Sequence, residues 1–268
     1  MKENIRTKLL FYKLYPDLSV GVFYFRPMKL EILAFGAHPD DVELSCAGTL
    51  AKHSAMGQKC GVVDLTQGEL GTRGTPEIRK QEANAAAEIM GLAVRENLKF
   101  RDGFFTNDEE HRLKIVEQIR RFRPRIVIAN APTDRHPDHG RGSFLVKEAS
   151  FLAGLRAIKT HWEGEEQEAY RPEMVLYYIQ FQNLKPDFIV DIGDYIKQKV
   201  EAIKAYRSQF YDPSSEEPKT VISSKNFMDS VSYRAQDLGR LIGAEYAEGF
   251  IAAQDIGLSD LNALKGVR

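Results

Sequence analysis

Between residues 31 and 191 the chain alternates short, almost wholly apolar runs with longer segments of helical pattern. Strands are expected at 31–35, 61–65, 97–101, 125–130, 174–179 and 188–191. Helices are expected at 47–56, 75–90, from near Asn107 to just before Pro124, at 143–158 and at 195–210. Several boundaries carry their own chemistry. Gly57 and Gly91 stop two of the helices. Thr75 caps a helix whose first residue is Pro76, with Glu77 at the positive end of the dipole. The run at 125–130 reads RIVIAN and is apolar on both faces, as a parallel strand covered by helices on each side must be. The pattern predicts α/β architecture, a single doubly wound domain over residues 28–268 with a mostly parallel sheet. No internal repeat or linker divides it.

Composition removes several classes of function. The 37 basic and 38 acidic residues are evenly spread and leave a net charge of −1, so no basic stripe offers itself to nucleic acid. No apolar run reaches the roughly 20 residues that a membrane crossing needs. The cysteines, Cys46 and Cys60, form no CxxC pair and suit a reducing, cytoplasmic setting as buried thiols. Residues 1–27 are set apart as an N-terminal extension. Their apolar stretches are broken by Lys13, Pro16 and Asp17, unlike a signal peptide, and Met28 directly precedes the first convincing strand. They read as an appended segment or a misassigned start.

In an open parallel sheet, ligands bind beyond the carboxyl ends of the strands. Two such ends here are densely polar: Gly36-Ala37-His38-Pro39-Asp40-Asp41 and Asp134-Arg135-His136-Pro137-Asp138-His139. His38 and Asp41, separated by a proline that keeps His38 extended, and His139 from the second loop make a two-histidine, one-carboxylate ligand set. Such a set fits a catalytic zinc with an open position for water, whose pKa zinc lowers to about 7. Ferrous iron suits the same ligands. Asp40, beside a ligand but not one itself, is the expected general base. His136, held by Asp138, is expected to act when protonated on the oxyanion or the leaving amine. His53, His111 and His161 read as surface or packing residues. The glycines at 68, 71 and 74 lack GxGxxG spacing and do not follow the first strand, which argues against a dinucleotide site.

AHPDD after the first strand, TQGELGTRG after the second and HPDH after the fourth resemble the LmbE-like, or PIG-L, N-acetylglucosamine deacetylases, over essentially Met28 to the C-terminus. The resemblance implies a Rossmann-like fold, zinc, and hydrolysis of an N-acetyl group on a glucosamine derivative. It places the metal ligands on His38, Asp41 and His139, the base on Asp40 and the assisting histidine on His136. Substrate-contacting arginines fall on Arg79, Arg135 and Arg171. The stretches GELGTRGTPEIRKQEA, YYIQFQNLKPDFIVDI and EAIKAYRSQF look most like the deacetylases of bacillithiol biosynthesis, which act on N-acetylglucosaminyl malate. Phe227 stands where some relatives carry a mobile tyrosine near the oxyanion. A small-molecule N-acetyl amino sugar is the expected partner, and the resemblance implies a homotrimer or hexamer. Rival readings are deacetylation of a chito-oligosaccharide or a thiol conjugate, a metal-dependent phosphoesterase, and a non-catalytic zinc- or sugar-binding module. The last has no need of both Asp40 and His136.

Overall fold

The first strand, β1 (Ile32–Gly36), is buried at every position and pairs in parallel on both edges, with β2 (Cys60–Thr66) on one side and β4 (Ile126–Ala129) on the other. Residues 28–262 and 264 are described by the structure, a computed structural model. The sheet runs β3-β2-β1-β4-β7-β9-β8, with β3 Val94–Phe100, β7 Met174–Tyr178, β8 Phe188–Asp191 and β9 Ala247–Ala252. Every pairing from β3 to β7 is parallel, and only β9 runs against its neighbours. The expected α/β, mostly parallel, doubly wound fold is the one observed.

Helices cover both faces because side chains of β1 alternate between two cores. Leu33 and Phe35 pack with Ile115, Val116 and Ile119 of α3 (Glu109–Phe122) and with Leu145 and Val146 of α4 (Pro137–Ala153). Ile32 and Ala34 face Val42, Cys46 and Leu50 of α1 (Asp41–Ala55). Outside α1, Ala83 and Ala86 of α2 (Pro76–Met90) meet Ala202 and Ile203 of α5 (Ile196–Lys204). The order reverses at β1 and β4, so the chain leaves these neighbouring strands towards opposite faces. That divergence opens a crevice at their carboxyl ends, where both polar loops lie.

Several boundaries differ from the sequence expectation for local reasons. Helix α1 begins at Asp41 rather than 47, because Asp40 takes φ 117° and turns the chain straight into it. A kink at Cys46 (φ −136°) divides α1, and the Glu248 carboxylate accepts from Gly48 N at 3.0 Å and Thr49 N at 2.7 Å just beyond it. Helix α4 starts within the HPDH motif rather than at 143, with His136 as its cap. Helix α5 ends at Lys204, short of 210, and a 3-10 turn (Gly193–Tyr195) precedes it. The sequence reading did not find α6 (Lys225–Arg240), β9, or the small hairpin of β5 (His161–Trp162) and β6 (Glu165–Glu166). The expected extension at 1–27 lies outside the described residues. No helix among the described residues is long and apolar enough to cross a membrane.

Candidate metal centre

The β1 and β4 loops are tied together before any side chain of the site is placed. Ala37 N donates to Asn130 Oδ1 at 2.9 Å, and Thr66 donates to Ala37 O from both N and Oγ1. These bonds fix the loop that carries His38, Asp40 and Asp41 against the last residue of RIVIAN. All three are buried, as is His139 in the first turn of α4.

His38, Asp41 and His139 meet at this junction. Asp41 Oδ2 lies 3.5 Å from His38 Nδ1, and Asp41 Oδ1 lies 3.2 Å from His139 Nε2. Asp41 is aimed by three further donors: His38 N at 2.9 Å and Asn130 Nδ2 at 3.1 Å to Oδ2, and Gln180 Nε2 at 2.7 Å to Oδ1. Burial pushes the Asp41 carboxyl up, but the His139 and His38 imidazoles outweigh it and hold the group well below the usual range. His139 Nδ1 is bonded at 2.8 Å to Asp134, and despite burial Asp41 and Asp134 bring His139 up to about 9. Burial likewise depresses His38, yet bonds to Asp102, Asp138 and Asp41 raise it well above its ordinary value.

His136 completes the imidazole cluster, its ring centroid 4.6 Å from that of His38 and 5.3 Å from that of His139. Ring nitrogens of these three histidines lie within 4.8 Å of one another. Four carboxylates, Asp41, Asp102, Asp134 and Asp138, surround them. Converging nitrogen and oxygen donors with surplus negative charge are what a buried divalent metal ion requires, and this group could hold one.

Asp40 stands apart from this cluster. Its left-handed backbone turns the carboxylate towards Arg79, which donates from Nη2 to Asp40 Oδ2 at 2.9 Å. Burial raises Asp40 to about 7 against the opposing pull of Arg79. The same Nη2 donates to Pro39 O, and Nη1 to Gly68 O at 3.3 Å. Arg79 is thus buried behind Asp40 as its clamp, and its fork is taken up by the protein itself.

The remaining expected site residues separate. Asp138 is fully buried, but its carboxylate accepts from Gly103 N at 2.8 Å and Arg141 Nη1 at 2.6 Å and lies 3.5 Å from His38 Nε2. It does not hold the His136 ring, as the sequence reading had it; His136 Nδ1 instead accepts from Asp138 N at 3.3 Å. Arg135 is exposed, with Cζ 4.8 Å from the Phe181 ring at the rim of the centre. Arg171 is not brought to the site. It precedes β7, at the opposite edge of the sheet, and lies over Phe151 near the end of α4. Phe227 sits in the first turn of α6, stacked on Phe181 and Phe210. The sequence reading missed Asp102, which follows β3 at the same sheet edge and bonds His38 Nε2 at 3.0 Å. The strand-end rule that found the other two loops would have found it.

The chain is similar in sequence and fold to known proteins. The PIG-L family, described as GlcNAc-PI de-N-acetylase, matches residues 33–150. The diacetylchitobiose deacetylase of Thermococcus kodakarensis is 30% identical over 232 residues, covering 82% of this chain and 81% of that protein. The conserved protein TT1542 from Thermus thermophilus aligns with a TM-score of 0.77 and 37% identity, covering 88% of this chain and 100% of that one. A probable N-acetyl-α-D-glucosaminyl L-malate deacetylase of Bacillus anthracis is 28% identical over 198 residues, 67% of this chain and 81% of that protein.

Proposed function

The chain belongs to the PIG-L (LmbE-like) family, and we propose that it is a zinc-dependent deacetylase that releases acetate from N-acetylglucosaminyl malate in bacillithiol biosynthesis. The observation that carries the reading is the division of labour between adjacent aspartates. Asp41 sits between His38 and His139, whereas Asp40 is turned out of that cluster and clamped by Arg79. A binding module has no use for a second, separately held carboxylate.

His38, Asp41 and His139 would hold the zinc, which would supply Lewis-acid polarisation of the amide carbonyl and lower the pKa of the attacking water. Asp40 is the residue placed to take a proton from the attacking water. One of its oxygens is occupied by Arg79, and its raised affinity for a proton comes from burial. Burial and the neighbouring His38 and His139 depress His136 below its ordinary value, which favours the neutral imidazole over the protonated one expected from the sequence. Because its Nδ1 accepts from Asp138 N, its proton resides on Nε2. It therefore meets the developing oxyanion as a hydrogen-bond donor without carrying charge. Asp102 and Asp138 fix the His38 ring, and Asp134 fixes that of His139.

Acetate release from a substrate panel tests the proposal. N-acetylglucosaminyl malate should be cleaved at least about tenfold more efficiently than N-acetylglucosamine or its short oligomers, the worth of one charge-assisted hydrogen bond. Chelation should abolish turnover and zinc restore it. Equal efficiency on all substrates would remove the malate assignment, and no acetate from any would remove the deacetylase reading.

A further inference from the structure

Beside His139, on the side of β7 and β9, lies a cavity walled by Ile179 and Phe181 after β7 and by Phe227, Val231 and Leu238 of α6. The walls are apolar, yet two guanidinium groups line it: Arg135 from the loop before α4 and Arg234 from α6. Phe181 anchors both. Its ring lies 4.8 Å from Arg135 Cζ, and its carbonyl accepts from Arg234 Nη2 at 3.0 Å.

Neither cation has a carboxylate partner within ion-pair distance among the described residues; Asp134 acts on Arg234 only from longer range, and both it and Glu248, which lines the cavity, are engaged by other donors. Asp134 accepts from Arg135 N at 2.7 Å, Gln182 N at 3.1 Å, Phe181 N at 3.4 Å and the His139 ring at 2.8 Å. Glu248 accepts from Lys199 Nζ at 2.6 Å and from Gly48 N and Thr49 N. Arg234 is partly buried, held by one carbonyl through one of its terminal nitrogens. A guanidinium taken partly out of water without an anion in direct contact is a costly arrangement, and its planar fork matches a carboxylate in bidentate geometry. The cavity has a volume of about 50 Å³, room enough for a group the size of a carboxylate.

We infer that Arg234, with Arg135, binds a carboxylate on the aglycone of the substrate, which makes Arg234 a specificity-determining residue for N-acetylglucosaminides of hydroxy-carboxylic acids. The inference rests on the deacetylase reading above. It places the substrate with its acetamido group at His38, Asp41 and His139 and its acidic arm towards α6. The apolar walls exclude water from the charged contact and so strengthen it.

The test compares wild-type protein with Arg234→Gln and Arg234→Lys, all zinc-loaded, on N-acetylglucosaminyl malate and on the neutral methyl N-acetylglucosaminide. The ratio of kcat/KM for the malate substrate to that for the methyl glycoside should fall at least tenfold in Arg234→Gln, chiefly through KM. Arg234→Lys, which keeps the charge but loses the fork, should fall between. A ratio unchanged within twofold overturns the inference even where both substrates are cleaved. Free L-malate, titrated calorimetrically into the zinc-loaded proteins, gives a readout independent of turnover. It should bind wild type at least tenfold more tightly than Arg234→Gln. Equal binding to the two overturns the carboxylate site, whereas failure of every protein to release acetate with malate binding intact overturns only the catalytic reading.

Discussion

Arg79 reaches from the first turn of α2 to Asp40, with Nη2 2.9 Å from the carboxylate, and the contact is possible only because residue 68 has no side chain. Gly68 has φ +64°, and a Cβ built there would lie 1.9 Å from Arg79 Nη1. The glycine-rich loop after β2 is therefore part of the clamp on the expected base.

Gly68→Ala should displace Arg79 and misplace Asp40, lowering kcat by about ten- to a hundredfold while KM and zinc content stay near wild type. Turnover on any cleaved substrate, with metal analysis of the same sample, checks this. A variant with full kcat would show that Asp40 does not depend on the clamp.

Asp102 holds His38 from behind, through Nε2 at 3.0 Å, and is itself held by Leu70 N at 3.1 Å. Its removal leaves the expected ligands in place but loosens one of them. Asp102→Ala should weaken zinc binding about ten- to a hundredfold, the usual cost of losing an outer partner of a ligand histidine. Competition with a chromogenic chelator measures the affinity. Undiminished affinity would mean that Asp102 does not orient His38 for the metal.

A control far from the centre concerns Asp108, the cap of α3. Thr106 and the backbone and ring of His111 hold its carboxyl well below the ordinary range. A carboxyl lowered in the native state contributes stability that is fully present above its unfolded value of about 3.9 and is lost as pH falls through the native one. The Tm gap between wild type and Asp108→Ala should therefore be widest at neutral pH and narrow below about pH 4. A gap that does not change with pH would leave capping by shape alone, with no part for the charge.

What the sequence disclosed follows from how local each signal is. Thr75, Pro76 and Gly91 bound α2 as expected, since capping is decided by residues a turn apart. The meeting of His38, Asp41 and His139 in space was legible because strand ends in a parallel sheet share an edge, whatever their separation along the chain. Helix α6 carries the same kind of signal as the helices that were found, with Phe227, Met228, Val231, Ala235 and Leu238 recurring at helical spacing, and was open to the same reading. Strand β9 reads AEGFIA, and its buried Glu248 is tolerated only because Lys199, Gly48 and Thr49 partner it across the fold. Arg79 and Arg171, assigned alike to substrate by motif position, diverge in space. One is locked behind Asp40, and the other lies at the far edge of the sheet over Phe151.

The neighbouring aspartates give the most direct test, because the account assigns one to the metal and the other to the proton. Zinc content and acetate release should be measured on purified Asp41→Asn and Asp40→Asn beside wild type. Asp41→Asn exchanges an anionic ligand for a neutral one and should lose both zinc and turnover. Asp40→Asn should retain zinc and lose turnover by about 10²–10⁴, the contribution of a general base. Near-full activity in Asp40→Asn, or loss of zinc from it to the same degree as from Asp41→Asn, would contradict the account.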